Sequence, residues 1–101
     1  MVFIYTTCRD AEEGKKLSEL MVSRHLAACA DMWPTESCYE WEGALKCEKE
    51  YVVLIKTNES KVQEIEDLIA ANHSYQIPCI ATVDVRRLNR AYKEWMSQVV
   101  H

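Results

Sequence analysis

His73 is the residue best placed to do chemistry: it leaves a stretch of helical periodicity and precedes Tyr75 and Pro78, where irregular backbone opens a crevice. An imidazole there suits Cu(II) or Zn(II), and Glu48 or Glu50 of a neighbouring chain could add carboxylate oxygen. The same position also fits a histidine that only closes a helix, bonding a carbonyl or Tyr75. Cys38 and Cys47 form a second candidate. If Glu42-Gly43 is a two-residue turn, Trp41 faces Ala44 and, counting back, Cys38 faces Cys47 in a non-hydrogen-bonded pair. Their Cα atoms, about 4.5 Å apart, fall at the short end of what a disulfide spans. Three states stay open for them: a bridge, a soft-metal or redox pair, or two unreacted thiols.

For catalysis there is no Ser/His/Asp set in recognisable context and no paired acids in a plausible cleft. Glu12-Glu13 and Glu64-Glu66-Asp67 read as solvated helix charges, so a binding or assembly role is favoured over an enzyme. Lys56, Arg86, Arg87 and Arg90 read as a solvated basic rim or, less simply, an anion site. A net charge of -4 argues against nucleic acid, which needs a basic face to displace counterions. The apolar runs fall short of a membrane span, and Met1-Val2-Phe3-Ile4-Tyr5 lacks the pattern of a signal peptide, which makes the cytoplasm the expected address. Five cysteines without C-x-x-C do not write a zinc knuckle, and Cys29 and Cys79 read as packed small side chains.

The elements that would carry these residues begin with a β-branched strand, Val2 to Thr7. Asp10 and Glu13 form a D-x-x-E start for an amphipathic helix over Ala11 to Leu26. A strand follows from Ala27, bends at Pro34 and runs to Trp41, then turns and returns as a strand ending at Thr57. A second helix spans about Ser60 to Ala71. Cys79, Ala81, Val83 and Val85 alternate with polar residues as a fourth strand whose apolar side is buried. Tyr92, Trp95, Met96 and Val99 mark a closing helix capped by Asn89. This order predicts one α+β domain over residues 1–101: a ferredoxin-like βαββαβ sandwich with a long central hairpin and a C-terminal helix. The hairpin is too long for the rest of the chain to cover. Tyr39 and Trp41 share one face of its tip and either pack across a subunit boundary or fold back on their own core.

The strings Leu26-Ala27-Ala28-Cys29, Tyr39-Glu40-Trp41-Glu42-Gly43, Leu54-Ile55-Lys56-Thr57 and His73-Ser74-Tyr75-Gln76-Ile77-Pro78, with Tyr92 and Trp95, together resemble the CutA divalent-cation tolerance family over nearly the whole chain. The resemblance implies a homotrimer whose hairpins extend the sheets of adjacent subunits, and a role in tolerance to copper and other divalent cations. Some members carry a copper-linked cysteine at the end of the first strand. The matching residue here is Thr6, with Cys8 two residues on, and the family's His-His before Pro-Tyr is Asn72-His73 before Ser74-Tyr75. At fold level the trimer also resembles PII-type signalling proteins, which implies the alternative of a sensor or scaffold taking a small ligand or partner protein in clefts lined by Tyr39, Trp41 and Tyr75.

Overall fold

The computed structural model describes residues 1–101. Strand β1 (Val2–Cys8) is followed by helix α1 (Ala11–Ser23), strands β2 (Cys29–Trp41) and β3 (Ala44–Thr57), and a 3-10 turn (Glu59–Lys61) that runs into α2 (Val62–Asn72). Strand β4 (Ile80–Asp84) and helix α3 (Arg90–Val99) complete the chain. The strands make one antiparallel sheet in the order β2-β3-β1-β4, the ferredoxin-like arrangement expected from the element order.

Periodicity explains the core. Alternate residues Ile4 and Cys8 of β1 and Val53 and Ile55 of β3 face Leu17 and Met21 of α1 and Ile65 and Ile69 of α2, all buried in one cluster. Each such aliphatic side chain contributes about 1.5–3 kcal/mol by leaving water. Asp10 starts α1 by accepting the Glu13 amide at 2.9 Å, while the Glu13 carboxylate reaches back to the Arg9 amide at 2.9 Å. The helix stops three residues before the expected Leu26, because His25 adopts φ 59°. The amides of His25 and Leu26 then bond Val22 and Met21 carbonyls, both at 3.0 Å, and Leu26 packs beside Met21 in the core. This is a Schellman ending with histidine where glycine is usual.

Three other expectations shift. Strand β2 continues through Pro34, opposite Tyr51, without breaking. It is an edge strand, and counting from the turn puts Pro34 at a non-hydrogen-bonded position, where its missing N–H would have pointed away from β3. In β4 it is Ile80 that packs against the core, while Val83 is 52% exposed and Cys79 exposed. The apolar alternation therefore marks the sheet face away from α1 and α2. Asn89 occupies the position before α3 but makes no side-chain cap hydrogen bond. Helix α3 covers one end of that second face, burying Met96 and Val100 with Ala28, while Lys56 pairs with Asp31 at 2.9 Å and lies 5.8 Å from the centre of the Tyr92 ring.

The strands are unequal in length. β1 ends at Cys8, opposite Tyr51, but β2 and β3 continue as a pair from Thr35–Glu50 out to Trp41–Ala44. The arm closes on Glu42 (φ 50°) and Gly43 (φ 80°), the left-handed pair of a type I′ turn. It stretches the chain to 46 × 25 × 21 Å.

Two threonines in the helix-facing layer differ in one respect. Thr57 donates from Oγ1 to the Leu26 carbonyl, fastening the exit of α1 to the end of β3, whereas Thr6 Oγ1 is fully buried with no hydrogen-bond partner. Thr6→Val is expected to raise stability by about 1–2 kcal/mol and Thr57→Val to lower it by about 1–3 kcal/mol. Urea unfolding midpoints of the two variants, moving in opposite directions, check this.

Candidate functional site

The segment between α2 and β4 crosses the open end of β1, from the helix layer to the second face of the sheet, and three contacts hold it. His73 Nδ1 accepts the Tyr75 amide at 3.0 Å, so Nε2 carries the proton and donates to the Thr7 carbonyl at 2.8 Å. The Ser74 amide donates to the second oxygen of Glu13 at 2.9 Å. Tyr75, its ring 4.8 Å from that of His73, donates its hydroxyl to Glu50 at 2.6 Å. Burial and the adjacent Glu50 carboxylate both push the Tyr75 phenol above its ordinary value. It remains a donor across the physiological range.

Beyond Tyr75 lies a groove of about 550 Å³. Alternation along the arm points Tyr39 and Trp41 of β2 and Lys46, Glu48 and Glu50 of β3 to this side, and Tyr75, Ile77 and Cys79 line the opposite wall. Tyr39 donates to Glu48 at 3.0 Å, as Tyr75 does to Glu50. One oxygen of each carboxylate is thus engaged and the other has no protein partner. Five residues named from the sequence, Tyr39, Trp41, Glu48, Glu50 and Tyr75, come together here. A larger depression of about 790 Å³ along α1, lined by Lys16, Glu19 and Val22 among others, gathers no comparable donor set.

His73 stands behind the groove rather than in it. Its ring, the Cys8 thiol and the Glu13 carboxylate place ligand-type atoms within 4.8 Å of one another. Glu13 is the member that helical periodicity misses, since its partner Ser74 is 61 residues away; the acid pattern at the start of α1 was its only signal. The cluster is internally satisfied, with both His73 nitrogens and both Glu13 oxygens in hydrogen bonds. Burial, reinforced by the charges of Glu13, Glu50 and Asp10, pushes the Cys8 thiol up to about 12. A cation would have to displace the Thr7 bond and take a proton from a reluctant thiol. The same protonated thiol is no nucleophile.

Cys38 and Cys47 lie on the other face of the arm, directly opposite in register with Cα atoms 4.1 Å apart, and their sulfurs are bridged. Of the remaining cysteines Cys8 is the packed one. Cys29 is half-buried and donates to Asp31 at 3.5 Å, and Cys79 is exposed in the groove, so neither of the two expected to be packed is fully enclosed.

The model of the CutA1 divalent ion tolerance protein family matches residues 2–99. The chain belongs to the CutA1 family. A divalent-cation tolerance protein CutA of Thermococcus kodakarensis is 37% identical over 99 residues, covering 98% of this chain and 95% of the relative. The solved structure of the periplasmic divalent cation tolerance protein CutA of Archaeoglobus fulgidus superposes with a TM-score of 0.96 at 31% identity, covering all of both chains. A chloroplastic CutA of Arabidopsis thaliana is 34% identical over 94% of this chain and 53% of its own length. The family is described by tolerance to divalent cations rather than by a reaction. These CutA1 relatives correct the expected cytoplasmic address: a periplasmic and a chloroplastic protein share this fold or sequence, so the family has no single compartment.

The Glu13 latch has a pH signature. Burial alone would raise its carboxyl, but the Arg9 and Ser74 donors favour the charged form more and hold it below its ordinary 4.5. Its contribution is complete above the unfolded value and is lost as pH falls through the lower folded one. Glu13→Gln is expected to cost about 1–3 kcal/mol at neutral pH, with the gap to the parent protein closing below about pH 4. Urea unfolding at the two pH values measures it.

Proposed function

We propose that the chain acts in tolerance to divalent cations, copper foremost, by binding the ion in the groove as a homotrimer and without catalysis. The observation that carries this reading is the pair Glu48 and Glu50, each with one oxygen oriented by a tyrosine and one left for a ligand. Carboxylate oxygen by itself suits hard divalent cations, and the exposed Cys79 on the opposite wall adds the soft donor that copper favours. His73, proposed from the sequence as the ligand, serves instead by holding Tyr75 and the loop in place.

Assembly is supported by what the protomer leaves uncovered. Both edges of the outer arm are unpaired, and Trp33, Leu45, Ile77, Val83 and Trp95 are exposed, Leu45 by 79%. Three copies, each lending its arm to the next, would satisfy those edges in a closed ring. The groove, open beside the arm, would then have a neighbour as its outer wall. Lys46 on the same face favours a second reading, in which a PII-like cleft takes a small anionic ligand and metals act indirectly.

Calorimetry with Cu(II) and Zn(II) separates the possibilities. Glu48→Gln with Glu50→Gln is expected to weaken binding by about tenfold or more, with His73→Ala affecting stability first. Heat abolished only by His73→Ala would move the ion to the Cys8 cluster, and no heat with the parent protein would favour the anionic ligand. Sedimentation equilibrium is expected to give three times the 11.7 kDa chain mass; a monomer at micromolar concentration overturns the assembly.

A further inference from the structure

The Cys38–Cys47 bridge is placed where a stabilising disulfide has little to add. It closes a loop of only nine residues' separation that the type I′ turn and the strand ladder already close. Both cysteines are exposed, on the face of the arm that also carries Glu36, Glu40, Leu45 and Lys49, all exposed themselves. The strand ladder keeps the two residues directly opposite, 4.1 Å apart at Cα, on a non-hydrogen-bonded pair, so each thiol stays beside its partner when the bridge is open.

The opposite side of the same backbone holds the groove. Tyr39, next to Cys38, is opposite Lys46, next to Cys47; Ser37 is opposite Glu48, whose carboxylate takes the Tyr39 hydroxyl. A covalent tie at Cys38–Cys47 therefore holds the two strands together beneath the Tyr39–Glu48 hydrogen bond, in a stretch where β1 no longer supports β3. Without it, the outer arm is joined within its own chain only by the turn and a two-stranded ladder, and whatever holds it further must come from a neighbouring copy along its edges.

We infer that Cys38 and Cys47 are a reversible thiol–disulfide site, exchanged with low-molecular-weight thiols and their disulfides, whose state sets how firmly the arm holds Tyr39 and Trp41 against the groove. In the reducing direction one small thiolate attacks a sulfur of the pair, the Sγ–Sγ bond breaks and a mixed disulfide forms. A second small thiol resolves it. Two small thiols have become one small disulfide, two electrons have passed to the pair, and each cysteine has gained one proton. Oxidation by a small disulfide is the reverse. Selectivity follows from access: Cys8 is buried, and Cys29 and Cys79 have no partner thiol opposite them in the sheet register. No cation takes part, so the exchange can be tested independently of the groove's ligand.

The native full chain is equilibrated in glutathione buffers of graded ratio, quenched in acid, alkylated and mapped by mass spectrometry. Cys38 and Cys47 are expected to convert together between bridged and free forms while the protein stays folded. Hydrogen exchange of amides over residues 37–48 is expected to quicken about tenfold or more in the reduced form, leaving Val52–Ile55 unchanged. The Cys38→Ser, Cys47→Ser variant should match the reduced parent at every ratio; if it does not fold, the comparison rests on the parent alone. Free thiols at all five cysteines at every ratio, a bridge that yields only on unfolding, or equal exchange rates in both states would each overturn the inference.

Discussion

A β-ladder needs a neighbour on each side to satisfy its backbone, and in this chain one pair of strands outruns its neighbours. β1 stops at Cys8, while β2 and β3 continue together to Trp41 and Ala44. Beyond that point each strand has one partner and one bare edge. The groove arises because the arm and the loop after α2 rise on either side of the place where β1 has ended. Tyr39 and Leu45 on the arm and Ile77 on the loop facing it are the exposed apolar side chains that this unequal growth leaves open. A compact sheet of equal strands would have neither groove nor arm.

The loop after α2 solves a second problem created by the same termination. The last carbonyls of β1 would be left without partners, and His73 takes that of Thr7 while Glu13, anchored at the start of α1, takes the amide of Ser74. These contacts tie the helix layer to the far face of the sheet around its open end. They also direct Tyr75 onto Glu50, so the groove inherits its geometry from backbone satisfaction. The residue that looked most like a metal ligand is occupied for this reason.

Much of this was legible in the residues. The register that pairs Cys38 with Cys47 followed from counting back from Glu42-Gly43, because a two-residue turn and a period of two leave no freedom. The D-x-x-E start of α1 and the joint facing of Tyr39 and Trp41 were equally local. What was not legible depended on distant partners. Periodicity finds two faces of β4 but cannot say which meets the helices, and Ile80 rather than the Ala81–Val83 side does so. The end of α1 was hidden because histidine took a left-handed conformation usually given to glycine. Glu13 and Ser74 meet only once the whole sheet is folded.

Pro34 sits in the middle of the outermost strand, at a position facing away from β3. Any foreign strand laid along that border would encounter a missing donor there, dividing the border into a short inner stretch beside Asp31 and an outer stretch along the arm. Pairing can extend from the tip but cannot zip continuously down the body. The proline thus acts as a molecular full stop on that border, discouraging the endless stacking from which fibrils grow.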